Sequence, residues 1–328
     1  MKRFTSILTL LLIATGPLGC GDDTDAADPA DTASAGADTA DTHTTAEADT
    51  APPDRFWEEP RVDAPYFEDG GYLAERSVAV VVTQLHLSGT VDGAAVGFDL
   101  DGRDSPPGEE DSCGHGDAVS PDGTKGIDNQ FAVLWDIIAP LVGEQVSALL
   151  LEAVNEGRFL VIMELTEVDD LVNDDDVTLT VLRGKLDPKV GASGQLLPSQ
   201  TYTIDPDFPV SVVKGASIVD GVLEAGPVEV SVPIEIFDAD FILRVEEGRV
   251  RLQFNPDGTS SGLLGGNVHV GDILEELLDT GASAEVSLIQ PLMEAQADID
   301  RVDDTCERMS GAFPFATTSA FVVRYPEN

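Results

Sequence analysis

The sequence predicts an α+β fold dominated by antiparallel sheet, as a sandwich or a single curved sheet, with a kinked amphipathic helix pair packed on it. Three observations carry this expectation. Many segments of strand length are rich in Val and Ile and bounded by Gly, Asp, Asn or Pro. The breaks between several of them are short and polar, as between antiparallel neighbours. One long stretch instead repeats its apolar residues at helical spacing and is interrupted by Pro140.

In chain order, the strand segments are 77–87, 95–101, 158–167, 177–182, 228–236, 241–245, 249–254 and 311–323. The first runs through "VAVVVTQLHL", which places His86 inside a strand. In 95–101, alternation puts Phe98 and Leu100 on one face and Asp99 and Asp101 on the other. The run "VEVSVPIEIFDADFILRVEEGRVRLQF" reads as a meander, and Asn255-Pro256-Asp257-Gly258 reads as the turn into "TSSGLLGG". The helical stretch begins at Asp128, a fitting N-cap, and carries Phe131, Leu134, Trp135, Ile138 and Leu141 on one stripe. Beyond Pro140, a second half places Val146, Leu149, Leu150 and Val154 on one face and ends at Gly157, a natural C′ residue. Shorter helices are expected over 271–278 and 283–296, the latter interrupted by Pro291.

The chain opens with Lys2 and Arg3, an apolar run over 7–14 and small residues up to Cys20, the outline of a signal peptide over 1–19. The segment ending at Cys20 resembles a bacterial lipobox, with Pro17 where leucine is usual. That resemblance implies a lipid on Cys20 and a membrane partner. From 21 to 54 the chain is almost entirely Ala, Asp, Thr and Pro, without aromatics, Lys or Arg. Such a segment cannot bury enough surface to offset the loss of chain entropy, and reads as a disordered acidic stalk reaching about 30–35 Å. Residues 55–328 then form a single sheet-rich domain. Of the three cysteines, lipidation of Cys20 leaves Cys113 and Cys306 to pair in an oxidising compartment. Closing a loop of that size stabilises by about 5 kcal/mol at most.

With 61 acidic and 18 basic side chains the formal charge is −43. A field of that sign repels phosphate backbones and excludes nucleic acid as a partner. It leaves two readings, solubility and cation capture.

The densest set of unusual residues is "GFDLDGRDSPPGEEDSCGHGDAVSPDGTKGIDNQ", over 97–130. Asp99, Asp101, Asp104, Asp117, Asp122 and Asp128 lie there among glycines and prolines that can bend their oxygens toward a common point. Calcium takes six to eight such oxygens and is the cofactor this pattern would hold. The spacing is not that of an EF-hand, because Gly102 comes fourth and Arg103 fifth, and Asp-Gly pairs also form ordinary turns. Cys113, His115 and Asp117 at alternate positions, with His269 or Cys306, have the makings of a zinc site, but a disulfide is the more economical use of Cys113. A second acidic knot, "EVDDLVNDDDV" at 167–177, reads as a charged loop. No G-x-S-x-G elbow, H-E-x-x-H pair or phosphate-binding glycine loop occurs, so no catalytic residues are assigned.

The lipobox-like leader, the Asp/Thr/Ala stalk and the run "GFDLDGRDS…CGHGD…SPDGTKGIDNQ" together resemble exported lipoproteins of deltaproteobacterial type. The resemblance implies attachment at the outer membrane and carries no mechanism. The expected role is that of a lipid-anchored envelope protein with a binding or structural domain, stabilised by calcium. Two alternatives remain. One is a periplasmic carrier of a lipid or other apolar ligand, which requires a cavity under the Phe131–Val154 stripe. The other is a secreted hydrolase using Asp99, Asp101 and Asp117 with His115.

Overall fold

The computed structural model describes residues 77–324, apart from 186, 237–238, 256–258, 280 and 282. The leader, Cys20 and the acidic stalk lie outside the described residues. Every described strand belongs to one sheet. The strands are β1 (Val78–Leu85), β2 (Val161–Thr166), β3 (Asp174–Lys185), β4 (Gln200–Ile204), β5 (Ser211–Val219), β6 (Val222–Ile236), β7 (Ala239–Phe254), β8 (Thr259–His269), β9 (Ile299–Val302) and β10 (Thr305–Val323). The helices are α1 (Gln130–Asn155), α2 (Val270–Asp279) and α3 (Ser283–Glu294).

The sheet closes on itself. β1 pairs with β2, β2 with β3, β3 with β5, and β5 through β8 follow in sequence; β8 pairs with β10, which returns to β1. All eight of these pairings are antiparallel. The sheet-dominated α+β class therefore holds, and the sheet, expected as a sandwich or a curved sheet, curves far enough to close into an eight-stranded barrel. β4 lies outside that ring of pairings, joining the end of β3 to the end of β10, and β9 pairs with the start of β10. The segments 241–245 and 249–254 are one strand rather than two, continuous through a bulge between Glu246 and Arg249. β4, β5 and β9 had no expected counterpart, since "QTYTI" and "IDRV" are short and "SVVKGASIV" is interrupted by Lys214 and Gly215.

Up-and-down order sorts the connections by rim. β2–β3, β5–β6 and β7–β8 turn within a few residues at one rim. At the other rim the chain makes its long excursions, with α1 between β1 and β2 and the α2–α3 pair between β8 and β10. Inward positions alternate along each strand, so Val80, Leu179, Leu223 and Leu252 fill the barrel below the helices and are 0% exposed. Val81 and Ile162, on the opposite face of β1 and β2, are also 0% exposed, which explains why β1 is continuously apolar rather than alternating. Glu164 shares that outer face, and both of its oxygens accept from the Arg324 guanidinium, one of them at 2.8 Å. Such bidentate pairing is what makes a buried carboxylate tolerable.

α1 is capped at both ends, though not by the expected N-cap. Asn129, one residue beyond Asp128, accepts from the Ala132 amide at 3.0 Å and donates to the Val96 carbonyl at 2.7 Å. At the far end Gly157 adopts φ 78°, and the amides of Gly157 and Arg158 donate to the carbonyls of Val154 and Ala153, a Schellman closure. Between these caps the axis turns by 102° after Leu141, next to Pro140. Among the described residues no single helix is long and apolar enough to cross a membrane.

Cys113 and Cys306 lie at bonding distance, Sγ–Sγ 2.06 Å, tying the loop after β1 to β10. Replacing both by serine is expected to lower stability by about 2–5 kcal/mol in urea denaturation. A loss below about 1 kcal/mol would mean that the loop is held without the bridge.

Candidate functional site

Two features stand out, an apolar cavity inside the barrel and a carboxylate cluster against its outer wall. The cluster is built by the loop over 94–128, which is not the strand expected at 95–101. Only isolated bridges form there, Ala94 with Val119, Phe98 with Asp128 and Ala118 with Ile127. The aspartates themselves compete with a ladder. Asp99 accepts from the Gly102 amide at 2.6 Å and Asp101 from the Arg103 amide at 2.9 Å, so the chain turns instead of extending.

Phe98 fastens this loop to the barrel. Its ring lies against Gly265 of β8, where an added Cβ would come within 2.4 Å of the ring, and the Arg251 guanidinium sits 5.1 Å from the ring centroid. Glycine at 265 is thus required by close approach. Once Phe98 is seated, Asp99, Asp101 and Asp128 each offer an oxygen within 4.8 Å of the others, a spacing compatible with oxygens shared by one divalent cation. Three of the six sequence candidates therefore come together.

The other three do not join that triad. Asp104 faces the Lys125 ammonium at 3.6 Å in solvent. Asp122 accepts from the Ser120 hydroxyl and from the Thr124 amide, and these bonds hold its carboxyl down at about 2. It closes a turn of its own. Asp117 accepts from the Ser105 amide at 2.6 Å and borders Asp128, with burial raising its pKa. The acidic knot at 167–177 is also a turn, with Asp174 accepting from the amides of Asp169 and Asp170.

Sequence reading missed Asp298, which arrives from just before β9. It is 5% exposed and accepts from the Ser310 amide at 2.7 Å and the Ser310 hydroxyl at 2.6 Å. Nothing in "AQADIDRVDD" distinguishes it from a surface acid. Burial raises Asp298 to about 7, and Asp117 adds to the shift. Asp128 is raised to about 8, first by burial and then by Asp117, Asp101 and Asp298, against the opposing effect of the Leu100 amide that it accepts at 2.6 Å. Arg103 does not relieve this charge, since its guanidinium turns to Asp111 at 2.7 Å.

The histidines lie differently from expectation. His86 is exposed just past the end of β1 rather than held within a strand. His115 donates to the Ala295 carbonyl, and burial lowers its pKa. His269 sits between Asp272 at 3.2 Å and Glu307 at 3.5 Å. With Cys113 and Cys306 joined to each other, the zinc set has no thiolate to offer.

The cavity lies between the barrel and its helical rim and measures about 280 Å³. Phe131, Leu134 and Ile138 of α1 cover it, with Ile273 of α2 and Ile289 and Leu292 of α3 beside them. Its walls come from inward positions such as Val82, Met163, Val245, Leu264 and Phe315. Among the described residues Ser310 is the one polar residue in the lining, and its hydroxyl is already committed to Asp298 and to the Gln130 amide, from which it accepts at 2.9 Å. The serine thus lies between the two features, joining the cavity wall to the carboxylates behind it.

No protein-family model, curated protein or solved structure matches this chain.

A carboxyl raised on folding holds a proton that the unfolded chain releases. The stability linked to Asp128 and Asp298 is therefore complete below the ordinary carboxylate range and is lost as pH rises through about 7 to 8. In EDTA the melting temperature is expected to fall by about 5 °C or more between pH 5 and pH 8.5, and Asp128→Asn is expected to flatten that fall. A profile equally steep in the variant would assign the loss to other groups.

Proposed function

We propose that this protein carries an apolar ligand inside its barrel, within the cell envelope, held to the membrane by a lipid on Cys20. The observation that supports this most is the cavity of about 280 Å³ under α1, whose lining is apolar apart from the committed Ser310. A core packed to ordinary density leaves no such space, because interiors are filled nearly as tightly as organic crystals. An apolar space of this kind, partly open to solvent, favours apolar molecules over water, which is the physical basis of a binding role. The Cys113–Cys306 bridge fits an oxidising compartment.

The test is saturable binding of an environment-sensitive apolar dye to the chain carrying Cys20→Ala, so that no attached lipid competes. Met163→Trp, which fills the cavity from the β2 wall, is expected to weaken binding at least about tenfold while a melt verifies the fold. Absence of saturable binding in the parent chain would sink the proposal.

A second reading concerns the triad and is independent of the cavity. Calcium held by Asp99, Asp101 and Asp128 would offset the burial, and then the repulsion from neighbouring carboxylates, that raise Asp128, and so stabilise the loop against the barrel. Binding linkage then predicts a gain of about 2.7 kcal/mol at a calcium concentration 100 times the dissociation constant. The gain is read as a higher melting temperature in calcium than in EDTA at pH 8, and it should vanish in Asp99→Asn/Asp101→Asn. Identical melts in calcium and EDTA would leave the aspartates as turn residues.

A further inference from the structure

On the carrier reading above, the geometry points to a particular class of ligand, which we infer to be a single flexible, uncharged hydrocarbon chain, such as that of a fatty alcohol or an alkane. Three independent features of the cavity converge on it.

The first is the placement of methionine. The chain has four methionines, and the three beyond Met1 all line the cavity. They come from different elements, Met163 from β2, Met293 from α3 and Met309 from β10. Methionine is unbranched and polarizable and adapts its rotamers to what it touches. Collecting all three around one space yields a wall that follows a bending chain rather than one shaped for a rigid outline.

The second is the missing anchor for a head group. A site that binds a sugar, a nucleotide or a carboxylate presents a few convergent polar groups. Here Ser310 is the one polar residue among the described ones, and both of its hydrogen bonds are spent within the protein.

The third is electrostatic. Among the described residues no Lys, Arg or His lines the cavity. Behind Ser310 stands the carboxyl of Asp298, with Asp117 and Asp128 beyond it. Arg308, which neighbours Met309 in β10, points away and is engaged by Glu246 and by Asp300 at 3.0 Å. A carboxylate entering this space would lose its water and gain no cation, so the anionic form of a fatty acid is selected against. Size sets the remaining limit, because a chain longer than the cavity leaves its far end in water.

The experiment labels the methionine methyl groups with ¹³C in the chain carrying Cys20→Ala and titrates it with 1-alkanols from hexanol to tetradecanol, then with decanoate at pH 8. The methyl signals of Met163, Met293 and Met309 are expected to shift together. Affinity is expected to rise roughly fourfold per methylene and to level off once the chain outgrows the cavity. Decanoate is expected to bind at least about tenfold more weakly than decanol. Equal or tighter binding of decanoate, no dependence on chain length, or binding that leaves the three methyl signals unmoved would each overturn the inference. The dye assay separates this failure from that of the carrier reading. If the dye saturates and the alkanols fail, the ligand class is wrong and the carrier stands; if neither binds, the carrier reading falls as well.

Discussion

The hydrogen-bonded seam between β1 and β10 is the constraint on which the rest of the structure depends. Ala79 to Leu85 pair with Ala320 back to Phe315, so the first described strand closes on the last. An open antiparallel sheet of this length would expose unpaired amides and carbonyls along both edges. Closure satisfies them and fixes which side chains face inward, because the side-chain period along each strand is two. Once the ring is closed, up-and-down order forces the long excursions after β1 and β8 to leave from the same rim. The helices have no other place from which to shield the apolar mouth of the barrel.

The cavity follows from how those helices fit. α1 carries a stripe of apolar residues but turns through 102° beside Pro140, so it covers the mouth as two short arms rather than one straight plug. Helices resting on a barrel rim cannot interdigitate with all of its inward side chains, and the remaining space is lined by long, adaptable residues. Below it, Leu179, Leu223 and Leu252 pack the barrel closed. A dense floor and a loosely filled upper end give one molecule both a stable core and a site.

The carboxylate cluster depends on the same wall from the outside. Phe98 docks on Gly265, the Cys113–Cys306 bridge holds the loop to β10, and Asp128 and Asp298 are thereby buried on either side of Asp117. Ser310 receives the amide of the first residue of α1 on its hydroxyl oxygen and gives its proton to Asp298. The helix that roofs the cavity is therefore pinned at its start to the buried acids.

Local pattern was legible wherever a residue's role is set by its immediate neighbours. The apolar runs of β1, β2, β3, β6, β7, β8 and β10, the proline break and Gly157 closure of α1, the two short helices and the Cys113–Cys306 pair all stand close to where the sequence puts them. Where side chains compete with the backbone, pattern misled. Asp99 and Asp101 alternate as in a strand but bond their own loop amides, and Asn129 takes the cap that Asp128 was expected to make, leaving Asp128 for Leu100. The strands β4, β5 and β9 were invisible because their pairing, rather than their composition, makes them strands. By itself, then, the sequence determined the class of fold, the proline break and glycine stop of α1 and the Cys113–Cys306 pair, since these rest on periodicity, capping chemistry and counting. Tertiary structure alone decided that the sheet closes, that three methionines distant in sequence meet around one space, and that Asp298 joins the aspartates of a loop 170 residues earlier. Each of these depends on contacts between residues far apart in the chain, and such contacts leave no periodic trace in any local stretch of sequence.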